Sequence, residues 1–433
     1  MQTFRYEKDI PITKHYDVVI CGGGPAGIGA AVAAAERGAK TLLVERFGFL
    51  GGMATAGYVA PMSEFYCNGT RVTGGLPWRF FNELEAAGGA LLEVPRGNVA
   101  FDPEKYKLVA QRMVAQAGCE CLMNTYLVDC VMDGDQIRGV VVVNKSGTAL
   151  VEGDYFIDAT GDADLAHFAH VTMQRQTRDR QPGTLCFCLA GVDTSTERMK
   201  IVHQNGKFNK AGFVREILLA LRAKGVDVPL FGGPWFCTTL HDGCVTVNIT
   251  RGAMDAVDSR DYQRAETQMR EDAFKLVELL KTHVPEFENC FISSTATVAG
   301  IRESRRIEGL YTMTGEEYLR AVHYPDAVAR ACHPVDIHLP GTEGQLVTFP
   351  EEPGYIPYRS MIAAKRPNLI VAGRCISADA EAFAAIRVQS PCMELGQAAG
   401  IAASLCLQAG KIPVQELDHA KLVAAVRQAG SLV

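Results

Sequence analysis

The pattern of apolar and polar positions near the start of the chain predicts a β-α-β unit. A short apolar run over Asp17–Cys21 is typical of a buried parallel strand. The alanine-rich stretch from Ile28 to Arg37 predicts a helix, with Gly38 placed where helices commonly end. Thr41–Val44 then predicts a second buried strand, so this part of the chain indicates a Rossmann-like α/β fold.

Glycines occupy the turn between the first predicted strand and the helix. Gly22, Gly24 and Gly27 have the GxGxxG spacing, and Glu45 ends the second strand 18 residues beyond Gly27. In a dinucleotide-binding unit these glycines permit a tight turn, close approach of the backbone to a pyrophosphate, and close packing of helix on strand. Glu45 can accept hydrogen bonds from a ribose, whereas Arg46 would favour a 2′-phosphate that Glu45 repels. The alternative is an alanine- and glycine-rich helix that packs on a sheet and binds no ligand.

Beyond this first unit, the apolar pattern predicts a small antiparallel meander. Towards the C-terminus, it again predicts a strand and a helix of the Rossmann type. We predict a helix over Lys105–Ala117, a strand over Cys119–Leu122, meander strands at Val128–Val131, Gly139–Val143 and Tyr155–Ile157, a strand over Asn368–Arg374, and an alanine-rich helix that begins within Pro391–Gly400. The first and last parts of the chain therefore contribute to one discontinuous domain, residues 1–170 and 353–433.

The pattern between residues 171 and 352 departs from the Rossmann type, and we expect an inserted α+β substrate domain there. The predicted elements are a strand over Gly183–Leu189, a helix over Ala211–Ala223, a hairpin of Trp235–Thr239 and Cys244–Ile249, and a long helix over Arg260–Lys281. His241 lies in the Asp-Gly turn of the hairpin, so it is expected at the surface rather than in a catalytic site.

Composition limits the classes of function. The 433 residues carry a formal net charge of −6, which argues against a protein that coats nucleic acid. The 14 cysteines include no CxxC pair, so neither an iron–sulfur nor a zinc site is indicated, and we expect no metal. Scattered free cysteines favour a reducing, cytoplasmic location. No apolar run approaches the roughly 18–20 residues of a membrane span.

Two features favour FAD over NAD as the dinucleotide. The segment after Glu45 contains the flexible pair Gly51-Gly52 followed by Met53, which suits an extended loop under a long ligand. The predicted C-terminal helix can direct its N-terminus at a flavin, where the helix dipole favours negative charge on the reduced ring. We expect the FAD to be non-covalent, because no motif for a linkage to the ring is evident.

Further motifs stand out along the whole chain: GGGPAGIGAAVAAAERGAKTLLVER, FGFLGGMATAG, IDATGDADLA, AGIRESRRIEGLYTMTGEEY and LIVAGRCISADAEAFAAIRVQSPCMELGQAAG. They resemble the bacterial FAD-dependent oxidoreductase family of the glutathione-reductase-like superfamily, the two-dinucleotide-binding-domain flavoproteins. The resemblance implies a Rossmann-like FAD domain of glutathione-reductase type, with a parallel sheet and an antiparallel meander. Relatives often carry a histidine near Ala380 and Glu381, which this chain lacks.

The glycine pattern and the resemblance together give the expected FAD contacts. The resemblance places the adenine near Leu127 and a second pyrophosphate-proximal turn at Ala159–Asp162, which is otherwise an ordinary strand-to-helix turn. The expected contact residues are Gly22, Gly24, Pro25, Ala26, Gly27, Glu45, Arg46, Gly51, Gly52, Met53, Leu127, Thr160, Gly161, Gly373, Arg374 and Gly396.

Candidate proton acceptors are concentrated in the segment from Cys332 to His338. A His-x-x-Asp-x-His pattern is compatible with a metal site, with a general base and its orienting acid, or with a polar loop. We expect His333 or His338 to accept the substrate proton, in a pocket between the two predicted domains.

Arginines supply the candidate groups for negative charge. The cluster Arg302–Arg306 suits either the clamping of an anionic group or an ion-pair network under the flavin. We expect Arg302 to neutralise charge that develops on the substrate, and Arg359 and Arg387 are similar candidates. Cys392 stands at the start of the C-terminal helix and is expected to pack rather than to react.

The chain has no second GxGxxG motif. We therefore expect hydride transfer between a polar small-molecule substrate and the flavin, with an external electron donor or acceptor. We expect no nucleic-acid or membrane partner, and the sequence is compatible with a homo-oligomer. One alternative is a flavin-binding subunit of a larger electron-transfer complex. Another is a tRNA-modifying flavoprotein, although those carry longer C-terminal helical extensions and more basic surfaces.

Overall fold

The structure is a computed structural model that describes residues 3–92, 97–176, 179–199, 209–210 and 212–433. Its described strands are Ile12–Cys21 (β1), Thr41–Val44 (β2), Tyr66–Cys67 (β3), Thr70–Arg71 (β4), Ala90–Leu92 (β5), Val99–Phe101 (β6), Glu120–Leu122 (β7), Tyr126–Asp133 (β8), Gln136–Asn144 (β9), Gly147–Asp158 (β10), Phe187–Ala190 (β11), Asn209–Lys210 (β12), Phe231–Thr238 (β13), Val245–Thr250 (β14), Phe291–Thr295 (β15), Ala327–Ala331 (β16), Val335–His338 (β17), Gln345–Thr348 (β18), Gly354–Pro357 (β19) and Leu369–Val371 (β20).

The described helices are Pro25–Glu36 (α1), Gly75–Ala86 (α2), Pro103–Gln116 (α3), Asp164–Phe168 (α4), Gly212–Ala223 (α5), Ser259–His283 (α6), Gly315–Leu319 (α7), Ala380–Ile386 (α8), Gln389–Gln408 (α9) and His419–Gln428 (α10), with short 3-10 turns at Gly52–Ala54, Pro285–Phe287, Tyr358–Met361 and Val414–Glu416. α1 begins at Pro25, earlier than the predicted Ile28, because the fixed φ of proline suits the first position of a helix. Ala211, the predicted start of α5, lies outside the described residues.

The first sheet has the strand order β7-β2-β1-β10-β9-β8, and β20 also pairs with β10. β1 runs parallel to β2 and to β10, and its residues from Val18 to Cys21 are buried. Continuous burial of both faces explains why this strand is an uninterrupted apolar run. The chain thus has the mixed α/β, Rossmann-like fold that the glycine turn predicts.

The predicted meander is part of this first sheet. The chain from Gly147 to Asp158 forms one continuous strand, of which the predicted Tyr155–Ile157 is only the end. One edge of β10 pairs with β1, and the other is shared between antiparallel β9 and parallel β20. The meander therefore extends the parallel sheet.

The helices α1 and α9 cross in close contact above the first sheet. An added Cβ at Gly396 would lie 1.9 Å from the carbonyl oxygen of Ala26, and one at Gly400 would lie 2.5 Å from that of Ala30. From the other side, a Cβ at Gly29 would lie 2.2 Å from the carbonyl oxygen of Met393. Glycine is therefore required at these positions, because the two backbones touch.

A second, antiparallel sheet has the order β12-β13-β14-β11-β15 and its own apolar core. β13 and β14 form the predicted hairpin. The His241 side chain in its turn is 59% exposed, as expected, and its Nε2 lies 2.9 Å from Asp102 Oδ2. α5 and α6 supply apolar side chains such as Leu218 and Leu276 to the core of this sheet.

The segment after the second sheet packs on the core of the first. Ile307, Tyr318, Val328 and Ile356 belong to the same buried cluster as β1 and α1. The division into residues 1–170 with 353–433 and residues 171–352 stays a prediction. Among the residues that the structure describes, no helix combines the length and apolar composition needed to cross a bilayer.

The helix crossing gives a stability test. Gly396→Ala should lower the free energy of unfolding by about 3 kcal/mol or more, because the new Cβ meets backbone that cannot rotate away. Chemical denaturation would measure the loss, and release of FAD should accompany it. Gly212→Ala is the matched control, since no atom lies within 4 Å of its added Cβ. An unchanged denaturation midpoint for Gly396→Ala would show that the crossing tolerates a side chain.

Candidate functional site

A cavity of about 530 Å³ lies between the two sheets. Residues that follow β1, β2, β10 and β20 line one part of it, which we call the cofactor end: Gly22, Gly24, Glu45, Thr160 and Gly373. Residues of the second sheet and of neighbouring segments line the other part, which we call the basic end: Thr184, Asn248, Arg302, His338 and Arg387. The cavity therefore adjoins both the predicted dinucleotide turn and the predicted catalytic segment.

The glycine turn has the geometry that its spacing predicts. Gly22 has φ +103°, and a Cβ there would lie 2.4 Å from the carbonyl oxygen of Ala159. A Cβ on Gly27 would lie 1.8 Å from the Gly22 carbonyl oxygen, so Gly27 serves the packing of helix on strand. Gly24 is different, because its Cβ position is 3.8 Å from the nearest atom and the residue lines the cavity.

Two helix N-termini face the cavity without a side-chain cap. Gly24 precedes α1 and Val388 precedes α9, and neither position has a side-chain hydrogen bond to the first turn. Pro25 and Gln389, the first residues of the two helices, line the cavity. Free N–H groups and the helix dipole favour negative charge at each end.

The carboxylate of Glu45 fixes the loop around the cofactor end. Its Oε2 accepts a 2.5 Å hydrogen bond from the N–H of Gly23, and its Oε1 accepts one of 2.8 Å from Phe47. Burial raises the pKa of Glu45, although these backbone hydrogen bonds and Arg46 lower it. Each oxygen retains a second lone pair that can accept a further hydrogen bond.

The turn Ala159–Asp162 is held by two buried carboxylates. Asp158 accepts hydrogen bonds from the N–H and hydroxyl of Thr160, at 3.0 and 2.7 Å, and from the N–H of Ala166 at 2.8 Å. Asp162 pairs with Arg374 at 3.1 Å, beneath Gly161 at φ +81°. The turn is therefore rigid, and Thr160 and Gly161 line the cavity as expected.

The two candidate histidines differ in their hydrogen bonds. His338 Nδ1 lies 3.2 Å from Arg251 Nη2, a donor, and its Nε2 lies 3.2 Å from Asp336 Oδ2, an acceptor. Both ring nitrogens of this buried side chain are thus occupied, with the proton on Nε2. His333 lines the cavity, and its buried Nδ1 has no hydrogen-bond partner among the described residues. Of the two, His333 is the one with an unpartnered ring nitrogen.

Burial controls the charge of this segment. It lowers the pKa of His333 to about 4, with Asp336 opposing and Arg387 reinforcing the effect, and it lowers the pKa of His338 well below its usual value. Burial alone would raise the pKa of Asp336, but the hydrogen bond from His338 and nearby positive charge hold it well below its ordinary range. At neutral pH both histidines are therefore neutral and Asp336 is ionised.

Three arginines surround the basic end. Arg302 donates from Nη1 to the Pro182 carbonyl at 2.8 Å and to Thr184 Oγ1 at 2.7 Å. Arg251 donates to the same hydroxyl at 2.9 Å. Arg387 donates to the carbonyl of Asp336 at 3.0 Å. In the described part of the chain, none of the three guanidinium groups lies within ion-pair distance of a carboxylate.

The remaining predicted residues fall into two groups. Of the expected cofactor contacts, all line the cavity except three glycines that shape its walls: Gly27, Gly51 and Gly396. Of the candidate arginines, Arg305 pairs with Asp164, Arg306 with Glu303 and Arg359 with Asp326.

Burial raises the pKa of Cys392 to about 12, which fits a packing role. No group of three potential metal ligands occurs within the described ranges.

Sequence reasoning missed Arg251 and the polar groups that face it. Arg251 directly follows β14, and its Nη1 donates to Thr184, in the segment before β11, and to Asn248 in β14. Arginine is rarely buried, so an arginine placed directly after an apolar strand was the signal available in the sequence.

A family model described as FAD dependent oxidoreductase matches residues 17–428. The chain is 30% identical over 175 residues to thiamine thiazole synthase of Methanococcus maripaludis, a match that covers 38% of this chain and 61% of that protein. It is 31% identical over 218 residues to digeranylgeranylglycerophospholipid reductase 2 of Methanothermobacter thermautotrophicus, covering 46% and 53%. The chain thus spans less than two thirds of the length of these curated relatives.

Among solved structures, a triple mutant of the flavin-dependent brominase Bmp2 aligns with a TM-score of 0.50 and 14% identity, covering 96% of this chain and 84% of that one. This likeness concerns the fold, and the glutathione-reductase type stays a prediction. Because the family match takes in nearly the whole chain, including the glycine turn and the C-terminal helix, the protein belongs to the FAD dependent oxidoreductase family and is an enzyme with FAD as its cofactor.

Proposed function

We propose that FAD is held non-covalently at the cofactor end and that the enzyme transfers a hydride between it and a polar small molecule at the basic end. The cofactor end fits FAD in two ways. Gly24 leaves open space beside an uncapped helix N-terminus, which suits a pyrophosphate, and the uncapped start of α9 suits the polar edge of the flavin. When bound, FAD supplies the group that accepts or returns the hydride.

The individual FAD contacts follow from the same geometry. Gly22–Gly27 and Thr160 hold the pyrophosphate, Glu45 accepts from the adenosine ribose, and Leu127 borders the adenine. Gly373 and Arg374 line the cavity close to the start of α9, so they belong to the flavin part of the site.

The unpartnered Nδ1 of His333 is the observation that carries the proposed reaction. A hydride leaves a substrate carbon readily only when a proton leaves the neighbouring oxygen or nitrogen, and a neutral imidazole accepts such a proton. His333 is neutral at physiological pH because burial lowers its pKa, and its side chain lines the cavity. His338 instead positions Asp336 and Arg251 through its two ring nitrogens.

The substrate exchanges electrons with the flavin directly, and an external electron donor or acceptor completes the cycle. The absence of a second GxGxxG motif from the sequence supports this proposal. The partners of the enzyme are then small molecules. A panel of metabolites added anaerobically, with loss of the oxidised-flavin absorbance as the signal, identifies the substrate.

Glu45→Ala should weaken FAD binding by about 1–3 kcal/mol, because it removes a charged acceptor from the ribose and from two loop N–H groups. Titration of the apoprotein with FAD, followed by flavin fluorescence, measures the change. Glu120→Ala is the control, since this exposed carboxylate bonds Lys14 and Tyr16 outside the cavity. Equal FAD affinity in wild type and Glu45→Ala would remove Glu45 from the cofactor site.

His333→Ala should lower the rate of substrate-driven flavin reduction by about 10²–10⁴, the usual effect of losing a general base, while the flavin spectrum stays intact. His338→Ala should have a smaller effect, because its ring nitrogens already serve neighbouring side chains. Anaerobic stopped-flow absorbance measures both rates. If both variants reduce the flavin as fast as the wild type, the segment is structural and the proposed role is wrong.

The pH profile gives an independent check. Activity needs neutral His333, and burial lowers its pKa to about 4. The value of kcat/KM should therefore be flat near neutrality and fall below about pH 5, as the ring becomes protonated. An acid limb near pH 6.5, where an ordinary histidine titrates, would contradict the assignment of His333.

A further inference from the structure

The basic end holds more positive than negative charge. Arg251, Arg302 and Arg387 are charged at neutral pH, since burial lowers their pKa values only to about 10, 9 and 10. Asp336 is the single ionised carboxylate that acts on all three, and it is hydrogen-bonded to His338 rather than to a guanidinium. Glu303 also acts on Arg387, but it forms an ion pair with Arg306. Three positive charges therefore face Asp336 as the one carboxylate that they share, and the adjacent histidines are neutral.

The nearest other ion pairs do not change this balance. Arg306 is matched by Glu303, and Arg374 is matched by Asp162. The mutual repulsion of Arg251, Arg302 and Arg387 contributes to the lowering of the Arg302 and Arg387 pKa values, next to burial. Burying unmatched charge is costly, so such an arrangement is expected where a ligand of opposite charge binds.

Two of the three arginines line the cavity and have N–H groups without a described acceptor. Arg302 and Arg387 line it, whereas Arg251 lies behind them. The described hydrogen bonds of Arg302 use Nη1 and one long contact of 3.4 Å from Nη2 to Asn248. Those of Arg387 use both Nη atoms at 3.0 to 3.3 Å. The Nε–H groups of both residues are left over for a planar acceptor such as a carboxylate.

We infer that the substrate of this enzyme is an anion, and that Arg302 and Arg387 bind its negatively charged group while Arg251 supports them from behind. This inference rests on the proposed function, because it takes the basic end as the substrate site. The cofactor's phosphates do not supply the missing charge, since they belong to the glycine turn at the other end of the cavity. A carboxylate and a phosphate ester share the chemistry that the arginines recognise, and the surplus of two positive charges suits a dianion.

The test titrates the oxidised holoenzyme with malonate, with inorganic phosphate, and with the neutral isostere malonamide. Binding is followed by the flavin difference spectrum and by isothermal titration calorimetry. Malonate or phosphate should bind and malonamide should not, and the stronger of the two anions distinguishes a carboxylate from a phosphate substrate. This comparison needs no variant, so it does not depend on how a substituted protein folds.

Arg302→Gln and Arg387→Gln should each weaken anion binding about ten- to a hundredfold, as expected for loss of a buried charged hydrogen bond. Arg264→Gln is the control for charge removal at the surface, since Arg264 is exposed and paired with Asp261 on α6. It should bind the anions as the wild type does. Arg302→Lys keeps the charge but loses the planar fork, and its binding should lie between wild type and Arg302→Gln.

Two results would overturn the inference: equal binding of malonamide and the anions, or anion affinity unchanged in both glutamine variants. Neither result touches the proposed proton acceptor, which is tested by the rate of flavin reduction in His333→Ala and by the pH profile. Conversely, guanidinium-dependent anion binding together with fast reduction in His333→Ala would support the anion site and refute the proton acceptor.

Discussion

The backbone contact between α1 and α9 is the constraint on which the rest of the structure depends. Gly29, Gly396 and Gly400 let these helices touch, and any side chain at the contact would push them apart. The contact fixes two uncapped helix N-termini against one cavity, although the helices are separated by more than 350 residues in sequence. The space at the cofactor end that we propose for the pyrophosphate and the flavin is therefore a consequence of helix packing.

This packing explains which parts of the fold the sequence could predict. The β1–α1–β2 unit lies within one continuous stretch, so its apolar periodicity, its glycines and Glu45 indicate both structure and ligand. Only the end of β10 was predicted, and the missed part from Gly147 pairs with β9 and β1. The helices α2 and α10 were also missed, and both pack against α9.

The candidate site shows the same division between local and distant information. The residues at the cofactor end were predictable because motif spacing places them. At the basic end, the sequence places Arg302 in one cluster with Arg305 and Arg306 and offers Arg359 as a similar candidate, and the tertiary partners separate them. Three of these arginines meet a carboxylate, whereas Arg302 meets hydroxyl, amide and carbonyl groups. Among the described residues, Arg302 is therefore distinguished from the other three arginines by the lack of a carboxylate partner, and this is what points to the basic end as a binding site.

Burial gives the basic end two properties that the proposed oxidation or reduction of an anion needs together. It keeps His333 neutral, as the proposed proton acceptor must be, and the charge of Arg387 further disfavours protonation of the ring. Arg302 and Arg387 stay charged because a guanidinium holds its proton even when burial lowers its pKa. A lysine in place of either arginine would lose its proton more readily under the same burial. The basic end thus combines, within one cavity, a histidine that is neutral with arginines that remain charged.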